Sequence, residues 1–215
     1  MEKTPDTVWQ QFQQKYSLNN QQLAQFKQYY ELMITYNEDH NLTTITKLSN
    51  VIDYHYTDSI VLTKTINMAN ITGLVDIGSG AGFPGIPLKI LYPTLPVILI
   101  EVTLKKINFL ELVIETLNLT GIEVYRHDWR TFLRTTNYTN SNLFCARASL
   151  VVPELFRLFK PGCTYKNSTL VYWANHDYQP ENELNTAPAG TIIKQIHPYK
   201  VGQRERKLVA YALQL

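Results

Sequence analysis

The chain has 215 residues, of which 45% are hydrophobic and 18% are charged. This composition allows a sizeable core and favours one main domain with an extension. The formal net charge of +2 is too small to indicate nucleic-acid binding by itself, so an RNA-facing surface requires local clusters of cations. Cys145 and Cys163 lack a CxxC spacing, which argues against a disulfide scaffold and a metal site.

Targeting signals are absent from the sequence. The first residues lack an apolar signal core, and no run of about eighteen apolar residues occurs. We therefore expect neither secretion nor a membrane span, and the two isolated cysteines favour the reducing cytoplasm.

The stretch from Asp6 to Tyr36 repeats apolar residues at spacings of three and four, which predicts two amphipathic helices. These positions are Val8, Phe12, Tyr16, Leu23, Phe26, Tyr30 and Met33. No glycine precedes Gly73, and the only proline before it is Pro5. We expect a helical extension over residues 1–70 that packs on a core domain over residues 71–215.

Three polar residues, His55, Asp58 and Ser59, follow in an otherwise apolar stretch. Asp58 and Ser59 suit the N-cap of a helix predicted over Ile60–Met68. A lone histidine is more often structural than a ligand, so the residues by themselves give this stretch no functional role.

The most informative stretch is an apolar strand, Leu74–Ile77, followed by a glycine-rich turn and a helix predicted over Pro84–Leu91. Glycines permit positive φ angles and close approach of a ligand to the backbone. Phe83 stands where the dinucleotide fingerprint G-x-G-x-x-G needs its last glycine, which argues against a pyrophosphate ligand. The predicted ligand contacts of the turn are Gly78, Ser79, Gly80, Gly82 and Phe83.

One acidic residue precedes this turn, and another ends the strand that follows it. Asp76, near the end of the first strand, favours a ligand that carries an amine, and Glu101 ends the next strand, where a ribose diol needs an acceptor. Together they predict a pocket for S-adenosylmethionine. The alternative is a sharp strand-to-helix corner with a helix-capping acid.

From Leu74 onward, strands and helices alternate, which predicts a parallel sheet covered by helices. The last two strands are too close for a crossover helix and should form an antiparallel pair. The expected fold is a Rossmann-like class I S-adenosylmethionine-dependent methyltransferase fold with seven strands, and its ligand lies beyond the strand ends. The later elements are predicted at Val97–Glu101, Leu104–Leu117, Ile122–Arg126, Trp129–Leu133, Leu143–Arg147, Leu150–Phe159, Thr169–Ala174, Ile192–Pro198 and Leu208–Leu215.

Residues after the third and fourth strands are further candidates. In His127-Asp128-Trp129, an acid could accept from the adenine amine while an aromatic ring covers the base, although Asp128 could equally cap the following helix. Arg147 ends the fourth strand beside the expected pocket, whereas Cys145 has the apolar neighbours of a buried residue. The segment lacks an Asn/Asp-Pro-Pro-aromatic run and a Pro-Cys pair, which disfavours base amines and pyrimidine C5 as acceptors.

Cations cluster at Lys105-Lys106 and around the terminal hairpin. Such groups could hold a phosphate backbone or form a solvated face. The hairpin cations are Lys194, Lys200, Arg204, Arg206 and Lys207.

Several motifs resemble the ribosomal small subunit methyltransferase G (GidB) family over nearly the whole length. The longest runs from Asp76 to Leu88 and contains Gly-Phe-Pro-Gly-Ile-Pro-Leu, which is more specific than a general methyl-donor loop. The shorter motifs are Asn41-Leu42-Thr43, His55-x-x-Asp58-Ser59, Lys105-Lys106 and Arg147-Ala148.

The resemblance implies methyl transfer from S-adenosylmethionine to N7 of a guanine in the 530 loop of 16S rRNA. Residues 71–215 would be the methyltransferase domain, acting as a monomer on 16S rRNA or on an assembling small subunit, without a metal. Arg147 would contact the cofactor and position guanine or a phosphate, and His55, Asp58 and Ser59 would form the pocket wall. The RNA-facing cations would be Lys105, Lys106 and Arg206, with Lys207 beside them in the hairpin cluster.

Two positions depart from the family. A Lys-Gly pair usual after the fifth strand is Ala174-Asn175 here, and an arginine usual after the third strand is Asp128, with Arg126 or Arg130 as compensating cations. One alternative is therefore a ribosome-associated RNA-binding protein that retains the donor pocket but has impaired catalysis. Another is a methyltransferase for a small molecule or a protein.

Overall fold

The computed structural model describes residues 4–134, 140–157, 159, 163, 165 and 167–214. Its centre is a seven-stranded sheet in the order β3-β2-β1-β4-β5-β7-β6. Strands β1 to β5 are parallel, and β7 is antiparallel to both β5 and β6, so the predicted fold is confirmed. The strands are β1 Leu74–Ile77, β2 Val97–Ile100, β3 Ile122–Tyr125, β4 Leu143–Ala146, β5 Ser168–Asn175, β6 Ile192–Val201 and β7 Arg204–Leu213.

The central strands are apolar because helices cover both faces of the sheet. Every residue of β1, β2 and β4 is buried, as expected of parallel strands. The terminal hairpin is longer than predicted: the turn at Gly202-Gln203 joins β6 directly to β7. Gly202 has a φ of +55°, which suits such a tight turn. Leu215, the last residue of the predicted strand, lies outside the described residues.

Helices α1 and α2 agree with the two predicted N-terminal helices. The Thr4 side chain accepts from the Thr7 N–H at the start of α1, and Asn19 forms a capping box with Gln22 at the start of α2. No described helix has both the length and the apolar content that crossing a membrane requires. The α-helices outside residues 41–73 are α1 Pro5–Tyr16, α2 Asn20–His40, α5 Gly85–Leu91, α6 Leu104–Thr116, α7 Trp129–Arg134 and α8 Val152–Phe156.

The helix predicted over Ile60–Met68 is wrong in position. Asp58 and Ser59 are not N-cap residues, since both are buried inside a continuous helical stretch, residues 48–64. Buried apolar side chains upstream, such as Val51 and Tyr56, extend the helix towards the N-terminus. The stretch consists of α3 Leu48–Val51, a π-helical turn Ile52–Thr57, α4 Asp58–Ile60 and a 3-10 turn Val61–Lys64.

Helix α2 connects the N-terminal region to the glycine-rich turn. It buries Phe26, Tyr29 and Met33, so Tyr29 takes the core position predicted for Tyr30. The Tyr29 hydroxyl donates to the Ala81 carbonyl, and its ring stacks with Phe83 at a centroid distance of 5.4 Å. The N-terminal helices therefore support the back of the turn, while the division at residue 70 stays a prediction.

Candidate functional site

Two cavities open at the carboxyl ends of the parallel strands, where β1 lies between β2 and β4. This reversal of strand order is where open α/β sheets bind ligands. The first cavity, about 260 Å³, is lined by side chains that follow β1, β2, β3 and β4. The second, about 290 Å³, lies between the turn and residues 42–58, and Gly78 lines both.

The glycines of the turn serve two different purposes. Gly78, Gly80 and Gly82 all have positive φ angles. A Cβ at Gly80 would meet nothing closer than the Gly78 carbonyl oxygen at 4.0 Å, so this glycine leaves open space beside the second cavity. A Cβ at Gly82 would lie 2.4 Å from Ile86 Cδ1, and Gly82 lines neither cavity. Gly82 thus lets the turn pack closely against helix α5, and its predicted contact with a ligand stays a prediction.

Ser79 and Phe83, the other predicted contacts of the turn, both line the second cavity. The Ser79 N–H donates to the Ile100 carbonyl over 3.0 Å, which ties the turn to β2. Phe83 is buried and presents its ring to His55. These contacts fix the shape of the cavity wall.

Asp76 is fully buried behind the turn and lines neither cavity. Its Oδ2 accepts from the Gly85 N–H at 2.8 Å, and its Oδ1 has no hydrogen-bond partner. Burial raises the pKa of this carboxyl to about 7. Asp76 thus holds the first turn of α5, as the helix-capping alternative expected, and its contact with a ligand amine stays a prediction.

Glu101 lies where the sequence predicted, at the edge of the first cavity. Its Oε2 accepts from the Gly80 N–H at 3.0 Å, and its Oε1 accepts from the N–H groups of Val102 and Thr103. A carboxylate has about four acceptor positions, so three backbone bonds leave capacity for a further donor. Glu101 therefore orients the turn and still faces the cavity.

The adenine-end candidates separate into two groups. Asp128 and Trp129 line the first cavity, whereas His127 is exposed and does not. Asp128 Oδ1 accepts from the Thr131 N–H at 2.8 Å, and this bond holds the pKa of Asp128 below its usual range. Asp128 therefore caps α7 and lines the cavity at once. His127 lies on the surface beside Tyr125, and its contact with the cofactor stays a prediction.

Asp58 is the centre of a charged cluster beneath the second cavity and is 1% exposed. Its Oδ2 lies 2.9 Å from Arg147 and 3.5 Å from Arg206. Its Oδ1 accepts from the Tyr199 hydroxyl at 2.6 Å. Arg147 also donates to the Tyr54 carbonyl, so its guanidinium is held rigidly at the cavity wall. The cluster joins the helical stretch of residues 48–64 to the residue after β4 and to β6 and β7.

His55 is nearly buried between Phe83 and Arg147. Its ring stacks on Phe83 at a centroid distance of 4.5 Å, and its Nδ1 lies 3.4 Å from an Arg147 nitrogen. Burial and then the Arg147 charge lower the pKa of His55 to about 3, so the ring is neutral near pH 7. Ser59 lies behind it, donates to the His55 carbonyl and supports the wall from the side away from both cavities, while its role towards a ligand stays a prediction.

The predicted RNA-facing cations have different surroundings. Lys106 and Arg206 line the second cavity. Lys105 donates to the His40 carbonyl and Lys207 to the Tyr178 carbonyl, so both link elements near the cavities. Arg126 is paired with Glu111 on the exposed surface away from both cavities.

The two cysteines both lie in the interior of the structure. Burial raises the pKa of the Cys145 thiol well above its usual value, and the side chain lies in the core. Cys163 is also a buried free thiol. Across the described part of the chain, no group of His, Cys, Asp or Glu side chains could hold a metal ion.

Comparison with protein families gives a match over most of this chain. A family model described as GidB, rRNA small subunit methyltransferase G, matches residues 22–209. The chain belongs to the GidB family.

Curated relatives agree with this assignment. Ribosomal RNA small subunit methyltransferase G of Aster yellows witches'-broom phytoplasma is 45% identical over 119 residues, which are 53% of this chain and 56% of that protein. The protein of the same name from Halalkalibacterium halodurans is 38% identical over 147 residues, which are 68% of this chain and 62% of that protein. The chain thus spans a little over half the length of these relatives.

Solved structures show the same fold at low sequence identity. MtNAS in complex with MTA and tNA has a TM-score of 0.59 and 15% identity, covering 98% of this chain and 84% of that one. TrmN from Thermus thermophilus has a TM-score of 0.54 and 14% identity, covering 75% of this chain and 53% of that one. These similarities support the fold alone.

Within this GidB-family site, the structure adds residues that the sequence did not single out. Ser149 lines the first cavity, and its buried Oγ has no hydrogen-bond partner. Tyr54 lines the second cavity, and the Arg204 guanidinium lies 4.3 Å from the centre of its ring. Tyr199 reaches Asp58 from β6. The positions of these three residues in the sequence did not indicate a functional role, because each contact depends on tertiary packing.

Proposed function

We propose that the chain transfers a methyl group from S-adenosylmethionine to N7 of a guanine in the 530 loop of 16S rRNA, in the cytoplasm. The observation that carries this proposal is the junction of two cavities at Gly78, one beside Glu101 and one beside a cationic wall. Relatives named for methylation of small-subunit rRNA support the substrate class.

The residues around the first cavity fit an adenosine. Glu101 retains acceptor capacity for a ribose hydroxyl, Trp129 offers an apolar ring, and the unpaired Ser149 hydroxyl can donate or accept. The open space at Gly80 would admit the methionine part along the backbone. A neighbour of similar fold was crystallised with S-adenosylmethionine, which supports the choice of ligand.

When bound, S-adenosylmethionine supplies a methyl group on a positively charged sulfur. Guanine N7 has a free lone pair and loses no proton on methylation, so the site needs no general base. The groups beside the second cavity agree with this requirement: the His55 ring is neutral and faces Arg147, and the Asp58 carboxylate is paired. The protein contributes alignment and exclusion of water.

The second cavity suits an RNA backbone. Lys106, Arg204 and Arg206 line it, and phosphate oxygens are their expected partners. Arg147 positions the cavity wall through its ion pair with Asp58. Direct bidentate hydrogen bonds from Arg147 to guanine O6 and N7 would block N7, which is the reacting atom. The proposed partner is 16S rRNA or an assembling small subunit, on which the chain acts as a monomer.

The alternative of a catalytically impaired RNA-binding protein rested on Ala174, where the family usually has lysine. In the β5–β7 register Ala174 pairs with Lys207, and Asn175 pairs with Arg206, so cations are present on the adjacent strand. The alternative is therefore less well supported than transfer.

The experiment is a comparison of rRNA from cells lacking this protein and cells carrying it, with N7-methylguanine measured by mass spectrometry at the 530 loop. We expect the modification to disappear on deletion and to return with the wild type but not with Gly80→Asn. Gly121→Asn is the matched control, because Gly121 also has a positive φ but lies outside both cavities. An unchanged modification level on deletion would reject the proposal.

A further inference from the structure

A third cavity, about 420 Å³, adjoins the second one and shares Ala148 and Arg206 with it. Ala148 has a φ of +54°, an unusual conformation for a residue with a side chain that often occurs at functional sites. The Trp173 indole N–H donates to the Asp58 carbonyl at 2.8 Å. The third cavity is therefore built onto the same cluster that supports the second.

The lining of the third cavity differs from the cationic lining of the second. Tyr172 and Tyr178 form an aromatic wall with a centroid distance of 5.5 Å, and Ala174 provides a small, buried floor. The two rings are tilted by 48°, so an unstacked RNA base would lie on one of them, as bases do on aromatic rings in single-stranded recognition. The Tyr178 hydroxyl is 3.1 Å from that of Tyr211, which fixes the orientation of its ring.

Asp177 is the acidic residue at this cavity and is exposed. In the described part of the chain, its carboxylate has no hydrogen bond or salt bridge. An ionised carboxylate only accepts hydrogen bonds, and guanine presents two adjacent donors, N1–H and the N2 amine, on its Watson–Crick edge. Adenine presents an acceptor at N1 and would be repelled.

We propose that the third cavity binds the target guanine, with its base against Tyr178 and its Watson–Crick edge on the Asp177 carboxylate. This inference rests on the proposed function and names the residues that would select guanine as the target base. N7 lies on the opposite edge of the purine, so this orientation leaves the reacting atom free. Arg206, which lines both cavities, is placed to hold a phosphate of the same strand.

The test is methyl transfer to an RNA fragment of the 530 loop, made with guanine or with inosine at the target position. Inosine lacks the N2 amine, so we expect its kcat/KM with the wild type to fall about tenfold, the effect of losing one hydrogen bond to a charged group. Asp177→Ala should react slowly with guanine and show less than about a twofold preference over inosine. Glu205→Ala is the matched control, because Glu205 is an exposed carboxylate on β7 that does not line the cavity.

A second pair of variants tests the aromatic wall. Tyr178→Phe keeps the ring and loses only the hydroxyl contact with Tyr211, so it should raise the KM for the RNA by less than about twofold, whereas Tyr178→Leu should raise it about tenfold through lost stacking. Full discrimination between guanine and inosine in Asp177→Ala would overturn the inference while leaving the proposed function intact. Failure of the wild type to methylate either RNA would overturn both.

Discussion

The first and second cavities share Gly78 but are constructed in different ways. Around the first, a single carboxylate, Glu101, accepts N–H groups of the backbone from Val102 and Thr103 beside it and from Gly80 in the turn. Around the second, Asp58 contacts Arg147, which directly follows β4, together with side chains from β6 and β7. One half of the site depends on local backbone geometry, and the other depends on contacts between residues far apart in the chain.

This difference predicts separable effects. Changes in the glycine-rich turn should act on donor binding, whereas changes in the Asp58 cluster should act first on stability and on the acceptor side. Contacts shared by many partners are strongly coupled, so removing the common carboxylate leaves several groups unsatisfied at once.

The largest effect is expected from Gly78→Ala. Gly78 has a φ of +69°, and an added Cβ would lie 2.5 Å from the Ser149 Cβ, so the turn must move where both cavities meet. We expect the Kd for S-adenosylhomocysteine to rise at least about 100-fold, which corresponds to roughly 3 kcal/mol. Titration calorimetry measures it, with Gly121→Ala as the matched control at another positive φ. Wild-type affinity in Gly78→Ala would show that the turn does not hold the donor.

Asp58→Asn tests the side-chain cluster. The change keeps the size of the residue but leaves the Arg147 and Arg206 guanidiniums without their common carboxylate. We expect the free energy of unfolding to fall by about 3 kcal/mol in urea titrations. Asp53→Asn, on the same helical stretch, should change it by less than about 0.5 kcal/mol. Equal losses in the two variants would remove Asp58 from its central role.

Asp76→Asn tests the support behind the glycine-rich turn through a pH-dependent change in stability. Burial raises the pKa of Asp76 to about 7, so the folded state binds more protons than the unfolded state between about pH 4 and pH 7. Wild-type stability due to this group therefore falls as the pH rises through that range. Asn does not titrate, so the stability of Asp76→Asn relative to the wild type should rise by about 2 kcal/mol between pH 5 and pH 8. A constant difference across this range would contradict the prediction.

The smallest effect is expected from single cations at the acceptor side. Lys106 lines the second cavity, with its Nζ 3.8 Å from Glu101 Oε2, whereas Arg126 is paired with Glu111 away from both cavities. Lys106→Gln should lower the slope of log affinity against log salt by about 0.7 for RNA binding, the value for one phosphate contact. Arg126→Gln should leave the slope unchanged, and a reversed result would place the RNA on the other side of α6.

The sequence predicted the parts of the molecule that depend on local patterns. Alternating apolar runs predicted a parallel sheet with a terminal antiparallel pair. The glycine spacing located the turn, and the following apolar run located Glu101 at its end. The role of Asp76 was harder to predict, because a strand-end acid can face a ligand or cap a helix, and only packing decides between them. The contact of Tyr199 with Asp58 joins residues that are 141 positions apart in the chain. The mixed helix at residues 48–64 depends on which of its surfaces the rest of the fold buries. Such contacts leave no spacing signal.

The most direct measurement is methyl transfer from S-adenosylmethionine by the purified chain to small-subunit RNA, followed by separation of the nucleosides by mass spectrometry. The account predicts N7-methylguanosine as the product with the wild type and with Gly121→Asn, and its loss with Gly80→Asn. A methyl group on an exocyclic amine or a ribose hydroxyl, or no transfer by the wild type, would contradict it.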